Sequence, residues 1–267
     1  MSLVVLTSLK NSPGVTTTAL ALGAVWPPQR RVLVAELDPA GGDLANRFRL
    51  PGEPGLLTLA AAARRHDPSQ RVWRCCQRLP GGLAVLIGPE TAEQARNAMA
   101  APRLAEAFSG VDADVLADCG RFDPGPPALE VARHADVVMV VVRPVYAELK
   151  RLVGTLPRLR QVGSRLAVVL VGKGNYSPAE VTGALGVEVL GALPFDPQGA
   201  AILGGAPTTK GALRRSPLLR YAHGLVPVLL GRLPAMSGQQ VNPSTTPAGR
   251  TSTAPTLEPR RGPEAPR

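Results

Sequence analysis

Aromatic residues are scarce in this chain: phenylalanine, tryptophan and tyrosine together make up 3% of its 267 residues. So small a share excludes a surface built on stacking nucleic-acid bases against rings, and it leaves any core to Leu, Val and Ala. Cysteine is nearly absent too. Cys75, Cys76 and Cys119 are odd in number and show no C-x-x-C spacing, which argues against both a disulfide framework and a zinc site and fits a reducing compartment. Lysine occurs only at positions 10, 150, 173 and 210, so the net charge of +10 rests on arginine. No run approaches the roughly 18 apolar residues that span a bilayer, and Met1 leads directly into an apolar strand without a charged leader. Neither export nor membrane insertion is expected, and a cytoplasmic location is. Internal repeats are not apparent.

What is present is hydrophobic content of 45%, enough for a sizeable core. The apolar residues fall into strand-length runs over Leu3 to Leu9, Arg31 to Leu37, Ala84 to Ile87, Asp114 to Ala117, Asp136 to Val142, Leu166 to Val171 and Val187 to Leu193. Segments of helical length separate them, among them Thr17 to Val25, Ala92 to Phe108 and Ala147 to Val162. This alternation predicts an α/β fold, a doubly wound and mostly parallel sheet with helices on both faces. Pro217 to Leu233 places Leu218, Leu219, Ala222, Leu225, Val226, Leu229, Leu230 and Leu233 on one helical stripe, with a kink expected at Pro227. After Ala235 the composition turns to Pro, Thr, Ser, Gly and Arg, which cannot bury enough apolar surface to offset ordering entropy. One domain over residues 1–235 and a disordered tail over 236–267 are expected. The arginine excess has two readings: a patch for an anionic partner such as DNA or lipid, or the composition of a GC-rich genome, since the longest basic runs are only pairs.

Chemistry concentrates in Lys10-Asn11-Ser12-Pro13-Gly14-Val15-Thr16-Thr17, which follows the first strand and opens the first helix. Amide N–H groups at a helix start converge on an anion, and the helix dipole favours negative charge there. The stretch resembles the deviant Walker A loop of the ParA/MinD family of P-loop ATPases, K-G-G-x-G-K-S/T-T. Lys10 falls on the signature lysine, Gly14 on the last glycine, Thr16 on the magnesium-binding hydroxyl and Thr17 on the residue after it. The departures are equally plain. Val15 stands where the ordinary loop has lysine, Asn11 and Ser12 replace two glycines, and Pro13 fills the variable position. One charge-assisted phosphate contact is worth about 1.5–3 kcal/mol, so its loss implies binding weaker by roughly ten- to a hundredfold, with turnover affected more.

The resemblance continues through Glu36-Leu37-Asp38-Pro39, similar to the family's D-x-D-P switch, and through Asp118-Cys119-Gly120, which matches a Walker B aspartate expected to end its strand. The plainer alternatives are that Asp38 caps a turn and that Asp118 is a strand-end turn residue. Ala135 to Pro144 and Leu190 to Asp196 also look like family segments. What the resemblance implies is ATP and Mg²⁺ as cofactors, Lys10 and Asp38 in catalytic roles, and Thr16, Asp38 and Asp118 around the metal. Residues 11–17, Lys173, Pro194 and Asp196 would contact nucleotide. The family's adenine-reading Asn has no direct counterpart, since Asn175 is displaced. The family further implies an ATP-bridged homodimer with Lys10 reaching across to the partner's phosphates, and a role in positioning a partition complex or a secretion or pilus machine. A cargo or activator protein and non-specific DNA contact come with it. Two alternatives stand beside this: a non-hydrolysing scaffold of the TadZ-like branch, favoured by Val15, and a membrane contact through the last helix as in MinD, against a plain docked helix. Nitrogenase iron protein, a relative, needs cluster cysteines at spacings absent here.

Overall fold

A computed structural model of the chain describes residues 1–10, 14–64, 69–122, 126–163, 165–208 and 211–234. The tail expected over 236–267 and loop residues Asn11, Ser12 and Pro13 lie outside them. The strands are Leu3–Ser8 (β1), Val32–Glu36 (β2), Gln77–Arg78 (β3), Ala84–Leu86 (β4), Asp114–Arg121 (β5), Val137–Val142 (β6), Arg165–Val171 (β7) and Glu188–Leu193 (β8). The helices are Val15–Ala24 (α1), Leu44–Phe48 (α2), Leu56–Ala63 (α3), Val72–Cys75 (α4), Ala92–Met99 (α5), Leu104–Gly110 (α6), Pro126–Arg133 (α7), Tyr146–Arg160 (α8), Pro178–Leu185 (α9), Pro197–Leu203 (α10) and Pro217–Leu230 (α11).

The sheet runs β3-β4-β2-β5-β1-β6-β7-β8, and every pairing is parallel except β3 with β4. Successive side chains of a strand face opposite ways. Leu3 and Val5 therefore pack under α3 to α7, whereas Val4 and Leu6 pack with α1, α10 and α11. Because both faces are covered, the central strands are predominantly apolar rather than alternating. A third cluster joins β6 and β7 to α8 and α9.

The doubly wound architecture is as expected, with three local differences. The segment Ala92 to Phe108 is two helices, α5 and α6. Pro102 disfavours helical geometry at the residue before it, and Arg103 turns the chain at φ 62°. β3, two polar residues on the antiparallel edge, has no periodicity by which to announce itself. α11 continues through Pro227, which lies on the exposed side of the helix. Its apolar stripe is spent inside the molecule: Leu218, Ala222, Leu225, Val226 and Leu229 are buried in the core shared with α1. No helix among the described residues is long and apolar enough to cross a membrane.

Candidate functional site

Parallel pairing of β1, β2 and β5 to β8 puts their carboxyl ends on one edge, and β1 lies between β5 and β6, where chain direction diverges. Open α/β sheets bind ligands in the crevice at such a point. The loops emerging there carry Lys10, Asp38, Pro144, Lys173 and Pro194, so the topology brings the expected segments to one rim.

Gly14 ends the loop after β1 with φ 91° and ψ 41°, a left-handed conformation that a glycine adopts without steric cost. Its carbonyl accepts from the Thr18 amide at 2.8 Å, so α1 begins at once. Upstream, the Ser8 hydroxyl donates to the Lys10 carbonyl at 3.0 Å and shapes the loop's entry. Lys10 is exposed and forms none of the ion pairs among the described residues. Thr16 and Thr17 stand in the first turn, half-buried at the mouth. Val15, in contrast, is 6% exposed and belongs to the cluster of Val4, Leu6 and Leu44. Its side chain is core. Only its backbone amide, one of the first four that a helix leaves unpaired, remains to meet an anion.

Asp118 was expected to end its strand, but β5 runs on to Arg121 and Asp118 sits inside the sheet, paired in register with Leu6 and Glu36. The register then slips: Leu6 faces Asp118 while Ser8 faces Arg121, so β5 carries one extra residue at Cys119-Gly120. Bulges of this kind re-aim side chains next to functional sites. Gly120 adopts φ 55°, and a Cβ there would lie 2.0 Å from an Asp38 carboxylate oxygen. Only glycine admits Asp38 this closely. The Thr7 hydroxyl donates to the Gly120 carbonyl at 3.2 Å, and the Gly120 amide donates to Asp118 Oδ1 at 3.1 Å, which pins the bulge from both sides.

The Thr16 side chain, in the first turn of α1, lies near enough to Asp118 to favour its ionised form. Burial pushes the Asp118 carboxyl up to about 7, opposed by Thr16 and the Gly120 amide and reinforced by the negative charges of Glu36 and Asp38. Burial likewise raises Asp38, against the Ala40 amide at 2.8 Å and the nearby Arg121 guanidinium. A fully buried carboxylate with one hydroxyl and one amide for company suits a cation nearby. Among the described residues no group of three or more His, Cys, Asp or Glu is placed to hold a metal. An ion here would be completed by hydroxyl, water and phosphate oxygens, the ligation typical of Mg²⁺.

Glu36 does something the sequence pattern did not suggest. It is 3% exposed and accepts from the amides of Asp43 at 2.7 Å, Leu44 at 3.0 Å and Gly88 at 2.9 Å. Burial raises its pKa against those three donors. It braces the loop that carries Asp38 against the end of β4. The extra methylene over aspartate supplies the reach.

On the far side of the rim, the Gly172 amide donates to the Leu193 carbonyl at 2.9 Å and the Asn175 amide to the Pro144 carbonyl at 2.9 Å, joining three loops. Lys173 is exposed between them and Pro194 is half-buried. Asp196 caps two helices: it accepts from the Gly199 amide at 2.9 Å, the Leu218 amide at 3.2 Å and the Ser216 hydroxyl at 2.6 Å. Burial raises its pKa, but these donors outweigh burial and hold it below the usual value. Little acceptor capacity is left for a ligand. Its neighbour Phe195 is 75% exposed at the same edge, a feature legible beforehand only as one ring in a chain with few.

The comparisons agree with this architecture. No protein-family model matches the sequence, and no curated protein matches it. Solved structures do. The chain is similar to a ParA family ATPase from Chlorobium tepidum TLS, with 16% identity and a TM-score of 0.69 over 84% of this chain and 97% of that one. It is similar to the cell division ATPase MinD of Pyrococcus furiosus, with 19% identity and a TM-score of 0.66 over 86% and 98%. A third is MinD of Pyrococcus horikoshii OT3 complexed with Mg-ADP, with 18% identity and a TM-score of 0.64 over 84% and 94%. The fold is that of the ParA/MinD-like P-loop NTPases.

Proposed function

We propose that this chain is a nucleotide-switched positioning protein of the ParA/MinD kind, in which ATP at the mouth of α1 bridges two copies and so controls attachment to a cargo. The observation that carries the reading is the buried Asp118 carboxyl, set in the β5 bulge beside the first turn of a helix opened by left-handed Gly14. Thr16, Asp38 and Asp118 would hold Mg²⁺, which supplies positive charge to the β- and γ-phosphates. Residues 14–17 offer amides to phosphate, and the charge of Lys10, exposed and unpaired among the described residues, is free to reach the phosphates of a second copy. Asp38, held against Gly120, would orient a water. Chromosome or plasmid partition and the placement of a secretion or pilus apparatus are the cargo classes that go with this reading. Wild-type protein is expected to dimerise on Mg·ATP addition in light scattering, and Lys10→Ala to remain monomeric. ATP-dependent dimers that persist in Lys10→Ala would reject the bridge.

The burial of Val15 favours a second reading, a scaffold that binds nucleotide but does not turn it over. On this reading phosphate release by the wild type stays at background, and Val15→Lys gains hydrolysis. The substitution also threads a charged side chain through an apolar cluster, so its melting temperature is expected to drop without ligand and recover with Mg·ATP. A wild type that already hydrolyses ATP defeats the scaffold.

A further inference from the structure

Beside the C-terminal half of α1 lies a half-open groove of about 790 Å³, within the roughly 300–1,000 Å³ typical of small-molecule sites. Nothing in the nucleotide reading uses it, and the inference below stands whether or not that reading holds. Leu20, Phe48, Leu83 and Ile202 contribute to walls drawn from α1, α2, the β3–β4 turn and α10. Apart from Thr208, the lining side chains are apolar except for Arg214, Arg220 and His223. These three share one wall: Arg220 and His223 are three residues apart on α11 and so face the same way, and Arg214 lies just before the helix. Acidic residues are missing from the lining among the described residues. Neither guanidinium has a carboxylate partner among the described residues.

An occupant must match apolar walls along most of its length and offer negative charge to the basic wall. A peptide brings backbone N–H and C=O groups, each of which needs a partner when buried, and this lining has few to give. An alkyl chain needs none. A planar carboxylate is the anion that guanidinium groups bind in a forked, two-bond geometry. We infer that the groove binds a free long-chain carboxylate, its hydrocarbon between Leu20, Leu83 and Ile202 and its head group against Arg214 and Arg220.

Calorimetric titration of the full chain with octanoate, decanoate and laurate, below their micelle concentrations, tests the assignment. One site is expected, with affinity rising roughly fourfold per added methylene, the equivalent of about 0.8 kcal/mol for each buried CH₂. Arg220→Gln, at an exposed position, is expected to weaken laurate on the order of tenfold while leaving dodecanol unchanged. Ala24→Trp and, as a second obstruction, Ala206→Phe are expected to abolish laurate binding, with circular dichroism showing that both fold. Three outcomes would overturn the inference: laurate bound equally by the obstructed variants, dodecyltrimethylammonium bound as well as laurate, or no laurate binding while vesicles of anionic phospholipid are bound, which would make the face a membrane surface instead.

Discussion

Stability of the ligand-free protein is expected to decline as pH rises from about 4 to about 7, and Asp118→Asn is expected to remove most of that decline. The ordinary aspartate value is 3.8, and burial in the β5 bulge lifts Asp118 to about 7. Below the ordinary value both folded and unfolded chains carry the proton, and the folded state has its full stability. Between the two values the unfolded chain has released a proton that the folded chain retains, so each step up in pH favours unfolding. Above about 7 both are ionised and the profile flattens. The total is on the order of 4 kcal/mol. Glu36 and Asp38 are raised by burial too and act in the same direction. Asp196, held low by its donors, works the opposite way, and its contribution is lost only below about pH 4, outside the window. Denaturant midpoints across pH in EDTA, for wild type and Asp118→Asn, measure the effect. Parallel slopes in the two proteins would mean that the buried charge is already compensated. Added Mg·ATP should flatten the wild-type profile, since a cation beside Asp118 favours its ionised form.

Asp114→Ala is expected to cost about 3–5 kcal/mol, the typical result of breaking a buried ion pair from one side. Asp114 is 2% exposed at the start of β5. One of its oxygens accepts from the Trp26 indole at 3.0 Å and from Arg30 Nε at 2.6 Å, and the other accepts from Arg30 Nη2 at 2.6 Å. Alanine leaves the indole N–H and a guanidinium of 16% exposure without their acceptor. The melting temperature should fall by roughly 6–20 °C, at about 2–4 °C per kcal/mol for a domain of this size. Asp114→Asn keeps one acceptor and should lose less. A shift below about 1 kcal/mol for the alanine variant would show that Arg30 finds another partner or water. Trp26 and Arg30 follow α1 and Asp114 opens β5, so this cluster ties the helix that Gly14 opens to the strand that carries Asp118.

Seven of the eight strands among the described residues were legible as sequence because parallel strands covered on both faces are predominantly apolar, and a short run of Val, Leu and Ala is hard to mistake. The junction after β1 was legible for a similarly local reason: it is a strand end, a glycine and a helix start in close succession. Glu36, Asp38 and Asp118 were legible as residue types, though not in their surroundings. Pro102 marks the break between α5 and α6 in the sequence itself, through its effect on the preceding residue, against the helical composition around it.

The rest needed the tertiary structure, because it depends on which distant segments meet. That Val15 is core, that Glu36 is a brace drawing amides from residues 43, 44 and 88, and that Asp118 lies within a bulged strand at the edge of ionisation are all facts about neighbours far along the chain. The same holds for Arg214 and Arg220, which read as scattered basic residues until α1, α2, α10 and the β3–β4 turn close an apolar groove beside them. Period, propensity and punctuation act between residues a few positions apart, so the sequence by itself determined the layered α/β order and the place of the turn between β1 and α1. Burial, pKa and charge clustering are sums over contacts across the whole sheet, and only the folded chain decides those.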